Sequence, residues 1–183
     1  MPAQFRPIRA CRRYHEMMST YAIRLFGDPV LTQAAKEVTD VDGRLASLAE
    51  SMLETMHAAN GLGLAAPQVG VQKRMFVYQL GDADPVTIIN PTIADQSGEW
   101  EYDEGCLSIP GLFFPIVRPK EIHLKGYDLD GREVSIEADE LEARCLQHEM
   151  DHLDGRLLLS LLDKDQKKQA MKELRRRGQL DEA

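Results

Sequence analysis

His148-Glu149-Met150-Asp151-His152 sets two imidazoles four residues apart, with a carboxylate directly after the first. On an α-helix that spacing stacks both rings on one face, where they can grip one metal ion. Glu149 can then lean toward a water held at the same place, take its proton as general base and return it to a leaving amine, so it would act as base and not as ligand. A catalytic metal site asks for three protein ligands and one open position, and the third ligand must come from elsewhere. A histidine six residues past His152 would mark one class of zinc protease; Gly155 fits that pattern but position 158 holds Leu158, which excludes it. Glu173 lies at a distance suited to a thermolysin-like ligand, yet within Lys172-Glu173-Leu174-Arg175 a charge partner along the helix explains it better. Cys106 and Cys145 remain, since a thiolate is a strong ligand for iron or zinc. Spacing alone does not choose between them. Cys145, three residues before His148, would crowd three ligands onto one helix and suits a buried pocket wall; Cys106 comes from a separate segment and can complete a tetrahedron.

These groups need elements to hold them. Leu45, Leu48, Ala49, Met52, Leu53 and Met56 recur at helical spacing and predict an amphipathic helix over Val41 to Ala59, stopped by Asn60-Gly61. Gly61 to Gly70 follows as a tight ordered loop, small enough for close backbone approach and barred from regular helix by Pro67. Strands are predicted over Met75 to Leu80, Val86 to Ile93, Glu99 to Asp103, Glu121 to Tyr127 and Val134 to Glu137, the last two joined across the hairpin signal Asp130-Gly131. Helical spacing returns over Leu141 to Leu153, ends at Asp154-Gly155, and recurs over Asp163 to Arg177. The pattern predicts an α+β fold, mostly antiparallel sheets packed around a central metal-binding helix, with one helix in the N-terminal half and one at the C-terminus.

A length of 183 residues suits one compact domain with its own apolar core, and 43% hydrophobic with 28% charged residues is ordinary for a soluble protein. No apolar run is long enough to span a bilayer, which argues against a membrane role. Cys11, Cys106 and Cys145 are too few for a disulfide framework, so a reducing, cytoplasmic setting is expected. A formal net charge of −8 argues against DNA as a partner of the whole chain, although Lys164 to Arg177 carries seven basic residues against Asp165 and Glu173. The first twenty residues hold Arg6, Arg9, Arg12 and Arg13 without apolar periodicity. An upstream-extended translation start, with Met17 or Met18 the natural one, accounts for them best; a disordered tail or an Arg-rich organellar presequence are the alternatives.

Three separated segments, Gly61-Leu62-Gly63-Leu64-Ala65-Ala66-Pro67-Gln68, Glu104-Gly105-Cys106-Leu107-Ser108 and Gln147-His148-Glu149-Met150-Asp151-His152-Leu153-Asp154-Gly155, resemble in order and spacing the signature motifs of peptide deformylases. The likeness runs from about Ile23 to Leu162, which suggests an N-terminal extension over residues 1–20, a catalytic domain over 21–163 and a basic C-terminal helix and tail over 164–183. It implies hydrolysis of the N-formyl group from the initiator formyl-methionine of new polypeptides, with ferrous iron as native metal and nickel, cobalt or zinc as substitutes. It implies Cys106, His148 and His152 as ligands, Glu149 as general base, and Gln68 with the backbone N–H of Leu107 as donors to the formyl oxygen. Gly63 and Gly105 would hold the substrate backbone as an added strand. Leu62, Leu107 and Cys145 would line a pocket for the methionine side chain, and Glu104 with Arg118 would form a structural ion pair. At Arg144, where many relatives carry an apolar residue, the stem is expected to pack while the guanidinium reaches water. The basic C-terminal helix suggests contact with ribosomal RNA, as in some deformylases. A zinc endopeptidase using Glu173 and a non-catalytic, ribosome-associated metal binder are the rival readings.

Overall fold

The computed structural model describes residues 20–178; the arginine-rich first nineteen lie outside it. Helix α1 (Gly43–Ala58) starts where the Asp42 side chain accepts from the Leu45 N–H at 2.9 Å and stops just before Asn60, whose φ of 54° leaves the helical region. Strands β1 (Gly63–Ala65), β2 (Met75–Tyr78), β3 (Val86–Ser97), β6 (Glu121–Tyr127) and β7 (Glu133–Asp139) form one antiparallel sheet in the order β1-β2-β3-β6-β7. Strands β4 (Trp100–Cys106) and β5 (Ile109–Arg118) pair separately as a two-stranded ribbon. Helix α2 (Glu140–Leu153) carries the paired histidines, and α3 (Lys164–Arg176) follows a short 3-10 turn at Leu158–Ser160. The expected α+β architecture is borne out.

Period-two alternation explains how one short strand serves two cores. Every residue of β2 is buried: Met75 and Val77 turn toward Leu45, Met52 and Met56 of α1, while Phe76 and Tyr78 turn toward Leu146, Met150 and Leu153 of α2. The two helices therefore cover opposite faces of the sheet. The β4–β5 ribbon covers another side of α2, and its Cys106, Ile109 and Ile116 share a third cluster with Leu158, Leu159, Ala170 and Leu174. Enclosed this way, α2 is buried along most of its length, unlike a surface helix with a single apolar stripe. Truncating a fully buried side chain such as Leu146 to alanine would cost about 2–5 kcal/mol.

Two local departures matter for the site. The segment Gly61 to Gly70, expected as loop, contains β1 and a 3-10 turn at Ala66–Val69. Strand β5 was not evident from the residue pattern, because Pro110 and Pro115 break strand propensity; both sit in a ribbon whose outer edge needs no donor.

Candidate active site

Helix α2 delivers His148 and His152 on one face, and the end of β4 brings Cys106 to them. The Cys106 Sγ lies 3.3 Å from His152 Nε2, and the two Nε2 atoms are 3.2 Å apart. Ligands around one tetrahedral ion at 2.0–2.3 Å stand about 3.3–3.6 Å from each other, so these three atoms fit a single cation. Among the described residues this is the one set of three that converges so, and Cys145 is not in it. Of the two thiols that spacing left open, Cys106 is the one that converges with the imidazoles. Burial pushes the Cys145 thiol well above its ordinary range, in keeping with a pocket wall.

A ring of charge orients the first histidine. Glu104, on β4, accepts from Arg118 Nε and Nη2 at 2.8 and 2.6 Å, from Arg144 Nη1 at 2.8 Å and from His148 Nδ1 at 2.6 Å. A carboxylate only accepts, so His148 must donate through Nδ1, which leaves its Nε2 lone pair for a metal. Burial alone would raise the Glu104 carboxyl, but its bonds to Arg118 and His148 outweigh that and hold it well below the usual range. Burial opposes charge on both imidazoles. At His148 the neighbouring Cys106 and Glu104 win and the pKa rises; at His152 the charge on His148 adds to burial and the pKa falls.

Arg144 differs from expectation. Its guanidinium does not reach water: the residue is 3% exposed, bonds Glu104 and, at 2.6 Å, the carbonyl of Trp100, and lies over the Trp100 ring 5.0 Å from its centroid. The Glu104 carboxylate, the Trp100 carbonyl and an aromatic face draw the head inward, where Nη1 and Nη2 are paired and Nε is buried without a partner. Arg118 also reaches Asp151 at 2.9 Å, so the Glu104–Arg118 pair is a buried network tied to the metal helix.

Glu149 projects beside the ligands, buried, with its Oε2 free of any hydrogen-bond partner. Burial pushes its carboxyl up to about 7, His148 opposing and Glu104 reinforcing the rise. A near-neutral carboxylate is suited to accept a proton and give it back. It fits only because residue 63 is glycine: a Cβ there would sit 2.8 Å from the Glu149 Cδ. Gln68, 1% exposed, spends its side-chain oxygen on the Ala65 N–H at 2.8 Å. That fixes the amide's orientation and aims Nε2 at Ser108 Oγ, 3.2 Å away, beside Cys106.

A cleft of about 770 Å³ joins these groups, lined by Leu62, Gly63, Gln68, Gly105, Cys106, Leu107, Cys145, His148 and Glu149; His152 lies buried behind it. All the residues expected in the site are therefore brought together. A smaller polar hollow of about 470 Å³, bordered by Asp95, Glu121, His123 and Glu137, shares none of them. Glu173 does not approach the histidines; it binds Arg176 and Arg177. Sequence reasoning missed Ser108, Asp151 and the inward turn of Arg144. Ser108, inside the cysteine motif, and Asp151, inside the helical motif, carried a local signal; the inward turn of Arg144 did not.

The family model described as Polypeptide deformylase matches residues 20–168. The chain is 48% identical over 160 residues to the peptide deformylase of Acidothermus cellulolyticus, spanning 86% of this chain and 87% of the relative. It is 46% identical over 121 residues to that of Clostridium botulinum, 66% of this chain and 82% of the relative. A crystal structure of a peptide deformylase from Legionella pneumophila superposes with a TM-score of 0.84 at 36% identity, covering 88% of this chain and 96% of the other. One from Ehrlichia chaffeensis in complex with actinonin gives 0.83 at 41% identity, covering 87% and 98%.

Proposed function

Since the chain belongs to the polypeptide deformylase family, we propose that Cys106, His148 and His152 hold one ferrous ion, that Glu149 is the general base, and that Gln68 with the Leu107 N–H receives the charge developing on the formyl oxygen. The protein is a metal-dependent hydrolase that removes the N-formyl group from the N-terminal formyl-methionine of newly synthesised polypeptides and releases formate. A metal held by Cys106, His148 and His152 would supply Lewis acidity for attack of water on the formyl group. Thiolate and imidazole ligands serve nickel, cobalt and zinc as well.

Glu149 takes the proton of the attacking water and passes it to the amine as the formyl C–N bond breaks, so no covalent enzyme intermediate is needed. Gly63 on the edge strand β1 and Gly105 on β4 offer backbone to an extended peptide, and the methionine side chain enters between Leu62, Leu107 and Cys145. The observation that carries this reading is the convergence of three ligand atoms beside a buried glutamate oxygen with no partner. Anaerobically prepared protein loaded with ferrous iron or nickel should hydrolyse formyl-Met-Ala, Cys106→Ala should lose both metal and turnover, and Glu173→Ala should keep both. Loss in Glu173→Ala alone would favour an endopeptidase; an inactive, metal-loaded wild type would favour a non-catalytic binder.

A second surface supports ribosome contact in the cytoplasm. Helix α3 buries Ala170 and Leu174 and turns Lys167, Lys168, Lys172 and Arg175 to solvent, a basic face suited to phosphates. No helix among the described residues is long and apolar enough to cross a membrane. Replacing Lys168, Lys172 and Arg175 by glutamate should weaken co-sedimentation with ribosomes and leave formyl-Met-Ala turnover unchanged; unchanged sedimentation would remove the idea.

A further inference from the structure

Among the described residues, Leu62 (45% exposed), Tyr102 (48%), Phe113 (69%) and Leu141 (40%) are large hydrophobics left open to water along one cleft. Scattered exposed apolar residues need no explanation, but a group of them continuous with a binding site does. Asp103 is the one exposed charged residue on that lining and Asn60 the one exposed polar amide, so the rim is mainly apolar with a single negative charge.

Phe113 is the most open of the four and also held in place. It pairs with Gly105 across the β4–β5 ribbon, and its ring fills the space a side chain would take there: a Cβ on Gly105 would sit 2.6 Å from its Cε1 and 2.9 Å from its Cδ1. The ring rests against the Gly105 backbone and leaves most of its surface to the cleft. Between the pairs Cys106 with Ile109 and Gly105 with Phe113, residues Pro110, Gly111 and Leu112 are looped out of the ladder. The carbonyls of Pro110 and Gly111 accept from Arg177 Nη1 at 3.3 and 3.2 Å, and Arg177 Nε donates in turn to Glu173 at 2.7 Å. Gly111 has a φ of +74°, and a Cβ there would meet the guanidinium.

We propose that Phe113 is a specificity-determining residue of this chain, receiving an apolar side chain from one of the two residues that follow the initiator methionine, and that Arg177 is the positioning residue that holds its loop. The substrate class so selected is formyl-methionyl chains with apolar second or third residues. This rests on the reading of the cleft as a formyl-peptide site. The occupant follows from continuity: the same cleft holds the metal ligands, Glu149 and the two glycine backbones.

The test compares formyl-Met-Leu-Phe-amide with formyl-Met-Ser-Asn-amide on metal-loaded protein, with formyl-Met-Ala as reference. Wild type should favour the apolar peptide in kcat/KM about tenfold, ~1.4 kcal/mol, through KM. Phe113→Ser should bring the ratio within about twofold and Phe113→Trp should preserve it. Arg177→Ala should lower the ratio by raising KM for the apolar peptide at unchanged kcat, and Arg177→Lys should recover part of it. A wild-type ratio near one, or a ratio unmoved in Phe113→Ser, overturns the specificity role; a ratio unmoved in Arg177→Ala overturns the brace. Failure to turn over any of the three peptides, formyl-Met-Ala included, overturns the underlying reading and this inference with it.

Discussion

Glu104 and Glu173 are each gripped by two arginines, and each has its carboxyl held low, yet they sit in different solvents. Glu104 lies under the β4–β5 ribbon with its side chain 5% exposed, bonded to Arg118, Arg144 and His148. Glu173 lies part-exposed on the surface of α3, its side chain 29% open, where hydrogen bonds from Arg176 and Arg177 hold its carboxyl at about 2. Around Glu173, water stands ready to replace any partner removed, and salt screens the rest. Around Glu104 nothing replaces a lost partner: Arg118 would keep only Asp151, and Arg144 only the Trp100 carbonyl and ring. The same chemical grouping is thus a local restraint in one region and a foundation in the other.

The comparison breaks first, if it breaks, at Glu104→Gln. That change should cost about 3–5 kcal/mol, lowering the melting temperature by about 10 °C, and metal retention against a chelator should fall about 10–100-fold because His148 loses its anchor. A depressed folded-state pKa means that the carboxylate's contribution is present above its unfolded value of 4.5 and lost as pH falls below it. The stability gap between wild type and variant should therefore be flat above about pH 4.5 and close in acid.

Glu149 sharpens the contrast as a buried carboxylate whose Oε2 has no donor. Its folded pKa of about 7 lies above 4.5, so its contribution is fully present below 4.5 and lost as pH rises through 7. Glu149→Gln should reduce turnover about 10²–10⁴-fold and yet stabilise the metal-stripped protein at pH 8 by up to about 3 kcal/mol, with no gain at pH 4. Chemical denaturation at the two pH values checks the sign. The smallest effect is expected at Glu173→Gln: a melting shift within about 2 °C, shrinking further in 0.5 M salt at about a 4 Å screening length. A shift as large as that of Glu104→Gln would erase the distinction between the two regions.

The metal helix was legible because its information is local: two histidines at i and i+4 need only a helix to meet. The hairpin at Asp130-Gly131 was legible for the same reason, and Gly131 does take a φ of +74°. The identity of the third ligand was not local. Cys106 and Cys145 differ in which folded segment reaches His152, and only the likeness to known motifs separated them beforehand. Arg144 was the hardest to read, since an arginine on a helix normally keeps its head in water and its partners Glu104 and Trp100 lie 40 and 44 positions away. Strand β5 hid behind its prolines, although the aromatics at Phe113 and Phe114 stood out in the sequence just past the cysteine motif.

Strand β1 is only three residues long and forms an edge of its sheet. Three residues of strand span about 10 Å, so a peptide added there must be extended over that stretch and no further. Any unfolded terminus meets this condition, and a folded one ceases to meet it. With substrate docked there as proposed, the formyl group would have a deadline set by its own chain: it would have to be removed before the first few residues are drawn into structure, and a slow-folding terminus would stay eligible for longest.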